Sequence, residues 1–161
     1  MIRTETQNDL PTITRLLNHY IATSNAVYEE QAWNVHKAQT WFDARQAAGF
    51  PVLVYEVGGT VLGYGSYGTF RARIGYRFTV EHSVYADPEH QRKGIGKALL
   101  EALIAQARAD GLHCMIGAVD ASNAGSVAFH EKFGFTQVGT FREVGRKNGT
   151  WLDVCFVQLR L

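Results

Sequence analysis

The sequence predicts an α/β protein in which a mixed β-sheet is covered by helices on both faces. Three observations predict it. Runs of β-branched and aromatic residues alternate along the chain with stretches whose apolar residues recur at helical spacing. Two tight hairpin turns, Gly58-Gly59 and Asn148-Gly149, each sit between such strand-like runs. The other strand-like runs are separated by helices, an alternation that gives a mixed sheet with both faces covered.

Each element follows from a local signal. Residues 1–5 read as a short first strand. Asp9 is placed to cap a helix with Pro11 in its first turn, and Leu10, Ile13, Leu16, Leu17 and Tyr20 share one face of it. Asn34 is placed to cap a second helix that carries Trp41 and Phe42 and stops at Gly49. Residues 52–57 and 60–70 form the first hairpin. Residues 78–86 are a strand ended by Asp87-Pro88. Residues 94–110 form a helix with Ile95, Leu99, Ala102 and Leu103 inward and Gly111 as its stop. Residues 113–119 are a strand, and 122–133 a helix ended by Gly134. Residues 135–146 and 150–161 make the last hairpin. The expected order is β-α-α-β-β-β-α-β-α-β-β.

Composition bounds the function. The chain has 161 residues, 46% apolar and 19% charged, with a formal net charge of +1. A chain of this size buries about two-thirds of its unfolded surface, so a core forms without disulfides or metals. No linker, charge block or repeat divides residues 1–161, which read as one domain. The near-neutral charge argues against a nucleic-acid partner held by bulk electrostatics. No apolar run approaches the roughly 18 residues of a spanning helix, so no membrane role is expected. The opening Met1-Ile2-Arg3-Thr4-Glu5 lacks an apolar stretch, so no signal peptide is expected. Cys114 and Cys155 are two scattered thiols, expected as small buried hydrophobes in a reduced, cytoplasmic protein. Six histidines show no metal-ligand spacing, so no metal is expected.

The most informative stretch runs from Val84 to Leu100. A strand ends at Asp87-Pro88, a short basic loop follows, and Gly94 and Gly96 open a long helix. A helix N-terminus offers unpaired N–H groups and partial positive charge, which suits an anion. Glycines at 94 and 96 admit a phosphate close to the backbone, and Arg92, Lys93 and Lys97 add charge beside it. A P-loop requires Gly in place of Gln91 and Ser or Thr in place of Ala98. A dinucleotide fingerprint requires Gly in place of Leu99, and a preceding parallel βαβ unit. Taken alone, the turn is also compatible with a plain tight entry into a helix.

It does not stand alone. Gln91-x-x-Gly94-x-Gly96 at the end of a central strand resembles the acetyl-CoA pyrophosphate motif of the GCN5-related N-acetyltransferase family. Asp120-Ala121-Ser122-Asn123, followed by Ser126 to Phe135, resembles that family's second cofactor segment. The implied fold is a mostly antiparallel, twisted sheet with helices on both faces, and the implied cofactor is acetyl-CoA. The resemblance also implies that the backbone of Val84, Tyr85 and Ala86 pairs with the pantetheine arm like an added strand. Arg92, Lys93, Gly94, Ile95, Gly96 and Lys97 would hold the diphosphate, and Asn123 and Ser126 would line the cofactor. Within the family, residues 76–85, residues 129–135, the tail from Gly145 to Val154 and Asn25-Ala26-Val27-Tyr28-Glu29-Glu30 resemble the phosphinothricin and methionine sulfoximine acetyltransferase branch. That branch implies substrate contacts from Tyr28, Glu29, Arg71, Ala72, Arg73, Glu81, His82 and Ser83, and a homodimer.

Strand alternation puts Thr79, Glu81, Ser83 and Tyr85 on one face and Val80, His82 and Val84 on the other. A carboxylate among apolar neighbours in a central strand is expensive unless it has a partner or a task. Glu81 is the candidate general base, with burial expected to raise it from about 4.3 toward 6–7; the competing reading is a structural carboxylate. His130 stands where most of the family places Tyr as the acid for the departing sulfur, whereas the phosphinothricin branch has His. It reads equally as a helix-packing histidine. His82, facing away from Glu81, reads as structural by parity. Arg71 and Arg73 suit a carboxylate clamp or an ordinary solvated loop, and Arg77 reads as structural. Tyr67 is expected in the core, with a reach toward the cleft. The expected activity is acetyl transfer from acetyl-CoA to the amine of a small amino acid or analogue. The alternatives are a protein N-terminus, another metabolite amine, or a non-catalytic acyl-CoA-binding module.

Overall fold

Two turns with left-handed backbone organise the sheet. Gly58 and Gly59 have φ of +55° and +82°, and Asn148 and Gly149 have φ of +48° and +80°. Two consecutive residues with positive φ match the right-handed twist of the strands they join. The computed structural model describes residues 1–90 and 93–161. Its elements are β1 (Ile2–Thr4), α1 (Leu10–Thr23), α2 (Val35–Ala47), β2 (Val52–Val57), β3 (Thr60–Thr69), β4 (Thr79–Ala86), α3 (Ile95–Ala109), β5 (Cys114–Asp120), α4 (Ala124–Glu131), β6 (Thr136–Lys147) and β7 (Thr150–Arg160). The expected element order holds. The strands form one seven-stranded sheet ordered β1-β2-β3-β4-β5-β7-β6. Every neighbouring pair is antiparallel except β4 and β5, which the α3 crossover makes parallel.

The two faces of the sheet carry separate cores. Ile13, Leu16, Leu17 and Ile21 of α1 pack on Val52, Val54 and Tyr64, and Phe42 of α2 lies beside Leu10 and Ala38. On the opposite face, Leu99, Leu100 and Leu103 of α3 pack with Leu53, Val80, Met115 and Val157. Complete burial of each such side chain is worth about 2 kcal/mol. Ala102 is only partly buried at the edge of this core. Cys114 and Cys155 are buried free thiols, as expected. Among the described residues, no helix is long and apolar enough to cross a membrane.

Three local expectations are corrected. Asp9 precedes α1 but does not cap it: its carboxylate instead accepts from Thr6 N and pairs with Arg3 at 2.8 Å. A guanidinium offers that carboxylate a stronger partner than an α1 amide. Phe78 lies outside β4 and is exposed, with Arg77 stacked 4.4 Å from its ring centroid. Tyr67 does not reach a cleft; it is fully buried and its hydroxyl donates to Asp110 at the end of α3.

Lys147 closes the fold from the far end of β6. Its side chain is buried, and Nζ donates to the carbonyls of Ile21, Ser24 and Val27, each at 2.7 Å. The ammonium thereby satisfies the Ile21 carbonyl in the last turn of α1, where no intrahelical donor remains, and two carbonyls of the chain that follows it.

Candidate active site

The parallel partnership of β4 and β5 is short. Thr79, Val80 and Glu81 pair with Cys114, Met115 and Ile116, and there the register ends. Beyond Glu81 the two strands part while β4 keeps its β3 partner as far as Gly63/Ala86. The opening is a cleft of about 240 Å³ lined by residues 82–86 of β4, residues 117–120 of β5, Gly96, Asn123, Ser126, Phe129 and His130. Strand edges that lose their partner keep main-chain donors and acceptors free for an extended ligand. Val84, Tyr85, Ala86, Gly96, Asn123 and Ser126 are therefore brought to one wall system.

The helix entrance completes the cleft. Gly94 takes the left-handed conformation at the α3 N-cap, φ +79°, which an L-residue adopts only with strain. A side chain at 96 would point into the cleft, since the protein atom nearest to a Cβ there is Phe129 Cζ at 3.7 Å. Ile95 is buried in the core, so only its backbone is available to a ligand. Lys93 and Lys97 are exposed, and Lys97 pairs with Glu101 at 3.5 Å. Arg92 lies outside the described residues. Asn123 caps α4, accepting from Ser126 N at 3.0 Å.

Alternation along β4 is unbroken, so parity holds and Glu81 and His82 project to opposite faces. Burial raises the Glu81 carboxyl above its ordinary value, and the positive charges of Arg45 and Arg71 oppose that rise. Arg45, from α2, is the contributor the sequence did not reveal. It lies 5.6 Å from the Trp41 ring centroid, and its Nε has no hydrogen-bond partner. Nothing in its local sequence marks it, because only the α2–sheet packing brings it to Glu81.

His82 faces away from Glu81, as parity set it. It lines the cleft, with Nδ1 at 2.9 Å from the Ile116 carbonyl and Nε2 at 3.0 Å from His130 Nε2. His130 Nδ1 stands 2.6 Å from the Ser126 carbonyl. Burial pushes His82 down to about 4, with the neighbouring His130 adding to the effect, and lowers His130 as well.

The remaining substrate candidates are divided. Ser83 and Tyr85 line both the cleft and a second cavity of about 250 Å³ walled by Leu10, Trp33, Trp41 and Tyr64. Tyr85 is pushed up to about 12 by burial. Arg71, Ala72 and Arg73 are exposed in the connection before β4, and Arg71 stacks on Phe70. Tyr28 and Glu29 do not face them across one pocket. Glu29 pairs with Lys37, and both residues line a separate surface cavity with Arg146. Arg77 is exposed and donates to the Ile74 carbonyl at 3.1 Å. Asp120, which opens the second cofactor segment of the sequence but carried no role there, has its Oδ2 buried at the cleft without a partner.

The chain that carries this parted strand pair and glycine-opened helix is similar over its length to known proteins. The Acetyltransferase (GNAT) family model matches residues 13–135. The chain belongs to the GNAT family. The L-methionine sulfoximine/L-methionine sulfone acetyltransferase of Salmonella typhimurium is 42% identical over 160 residues, covering 99% of this chain and 94% of the relative. The phosphinothricin N-acetyltransferase of Streptomyces viridochromogenes is 36% identical, covering 98% of this chain and 85% of the relative. Among solved structures, a protein of Salmonella typhimurium described as an acetyltransferase with its cofactor acetyl-CoA superposes with a TM-score of 0.96 at 42% identity, covering 100% and 93% of the two chains. This GNAT chain is an N-acetyltransferase and acetyl-CoA is its donor. The free β4 edge and the open space over Gly96 fit that donor, which supplies an acetyl group on a thiol leaving group.

Proposed function

We propose that this enzyme acetylates the free α-amino group of a small amino acid or analogue of the methionine sulfoximine, methionine sulfone or phosphinothricin type. The observation that carries the reading is the position of Glu81, a half-buried carboxyl at the rung where β4 and β5 part. A base there lies beside the strand opening, and burial raises its carboxyl toward the proton affinity a general base needs. The named activities of the relatives at 42% and 36% identity support the substrate class.

In this reading Glu81 accepts the ammonium proton, and the amine attacks the bound thioester directly within a ternary complex. Main-chain amides of β4 near Val84, Tyr85 and Ala86 orient the donor and polarise its carbonyl. Gly94, Ile95, Gly96, Lys93, Lys97 and Arg92 hold the diphosphate, and Asn123 and Ser126 line the donor's path. Arg71 and Arg73 take the amino acid's carboxylate, with Ala72 and Ser83 beside it, while the His82 ring, expected there by resemblance, is instead engaged by Ile116 and His130. Tyr28 and Glu29 approach the substrate from the loop after α1, Tyr28 beside Asp120 and Glu29 within electrostatic reach of Tyr85. His130 gives a proton to the departing sulfur.

The same reading places residues 1–161 in one cytoplasmic domain that acts as a homodimer. The exposed Val138, Phe141 and Val144 of β6 and Trp151 of β7 are apolar surface that a second copy would cover. Thiol release from acetyl-CoA, measured with methionine sulfoximine, methionine sulfone, phosphinothricin, the common amino acids and short peptides, tests the function. Release with the first group at lower KM than with peptides is expected. Release with peptides alone, or with no amine, overturns it.

A further inference from the structure

The two histidines of the cleft present a proton count that does not close with two neutral rings. A carbonyl oxygen only accepts, so the Ile116 carbonyl at 2.9 Å calls for a proton on His82 Nδ1. The Ser126 carbonyl at 2.6 Å calls for one on His130 Nδ1. The Nε2–Nε2 contact at 3.0 Å then needs a third proton, because two lone pairs held at that distance repel. Two neutral imidazoles carry two protons between them. Three contacts require three.

We infer that His82 and His130 form one proton-holding pair, with a single extra proton shared between their Nε2 atoms, and that His82 positions His130 to give this proton to the departing thiol of the donor. The inference rests on the transferase reading above and gives His82 a role in it.

The surroundings are built for the pair. Gly117 of β5 leaves the room: a Cβ there would stand 2.9 Å from His82 Cε1 and 3.4 Å from His130 Nε2. Phe135 packs against both rings at 5.3 Å between centroids. Among the described residues, the titratable groups facing the same cavity are Tyr20 from α1, Tyr85 from β4 and Asp120 from β5, and α3 contributes Gly96. Glu81 lies on the other face of β4, and Glu131 of α4 is exposed and accepts from Gln137. Asp120 lines the same cavity with one buried carboxylate oxygen unpartnered. Burial disfavours charge on both rings, so the extra proton is held against that cost by the Nε2–Nε2 hydrogen bond and the two carbonyl acceptors.

The step balances. As the C–S bond of the donor breaks, its electron pair passes to sulfur. The shared N–H bond breaks, an S–H bond forms, and the pair falls from one positive charge to neutral. Solvent replaces the proton before the next turnover.

The test begins with imidazole NMR of the ¹⁵N-labelled full chain without donor. One far-downfield proton associated with both Nε2 atoms is expected, lost in His82→Phe, with the two rings titrating in one coupled step. Steady-state kinetics supply the second readout. His82→Phe is expected to lower kcat by about tenfold or more and to move its alkaline limb to lower pH, while the KM for acetyl-CoA stays within about twofold. His82→Gln, which restores a polar group opposite His130, recovers part of kcat. Two rings that titrate separately with no shared resonance overturn the pair. An unchanged kcat and pH profile in a folded His82→Phe overturns the positioning role. A native chain that shows the resonance but releases thiol with no amine overturns delivery to sulfur, together with the transferase reading.

Discussion

Gly68 stands opposite Glu81 in the β3/β4 ladder, and the Arg45 guanidinium fills the place that a side chain at 68 would take. A missing Cβ on one strand thus admits a cation from α2 beside a carboxylate on the next. The cation opposes the rise that burial imposes on Glu81. Without it, more of Glu81 would be protonated at neutral pH and less would be available as a base.

The consequence has a definite sign. A general base works only when ionised, so the acid limb of kcat/KM follows the Glu81 carboxyl. Arg45→Met removes the opposing charge, and Gly68→Ala displaces the guanidinium. Both are expected to shift that limb to higher pH, whereas Arg77→Met leaves it in place. Glu81→Gln is expected to cost about 10²–10⁴-fold in kcat and to erase the limb. pH–rate profiles of the four variants check this; a limb that ignores Arg45 and Gly68 removes Arg45 from the site's electrostatics.

Gly96 separates fold from donor binding. A methyl group there meets no protein atom closer than 3.7 Å, so Gly96→Ala folds normally and gains slightly in helix propensity. The methyl projects into the donor cleft, and the KM for acetyl-CoA is expected to rise about tenfold with Tm unchanged or higher. Gly94→Ala differs: its φ of +79° makes the substitution strained, at about 1 kcal/mol, so Tm falls as well. Thermal melts beside KM measurements distinguish the two positions.

Lys147 ties the loop after α1 to the β6–β7 hairpin. Lys147→Met keeps the length of the side chain but leaves the carbonyls of Ile21, Ser24 and Val27 without their donor. Hydrogen bonds to a buried charge are worth about 1.5–3 kcal/mol each before relaxation, and these carbonyls regain water in part, so a loss of about 2–4 kcal/mol is expected. Urea unfolding measures it. The loop carries Tyr28, whose ring packs on Gly145, so the KM for the amine is expected to rise more than the KM for acetyl-CoA.

The legible features were those written locally. Both hairpin turns, the Asn34 cap and the glycine entry to α3 each depend on a few adjacent residues, and each stands where the sequence placed it. Parity along β4 was equally local and correctly set Glu81 and His82 on opposite faces. What the sequence concealed needs packing across distance. Arg45 reaches Glu81 through the α2–sheet contact, and His82 meets His130 because α4 lies over the gap where β5 leaves β4. Parity told which way His82 points but not what it meets there.

Asp9 illustrates the same gap between cap and contact, and it sets the acid behaviour of the fold. Pairing with Arg3, aided by hydrogen bonds from Thr6, holds its carboxyl at about 2, against an ordinary 3.8. A carboxyl depressed in the folded state contributes stability that is complete above the unfolded value and disappears as pH falls through the folded one. The contribution is therefore present at pH 7 and lost between about pH 4 and pH 2. Since Arg3 is partly exposed, solvent screening reduces it to about 1–2 kcal/mol. Asp9→Asn is expected to be less stable than the native chain by this amount at neutral pH, and the gap closes in acid. Urea titrations of both proteins at about pH 7 and about pH 2.5 check it. A gap that persists unchanged at the lower pH assigns the loss to packing and not to the Arg3–Asp9 charge pair.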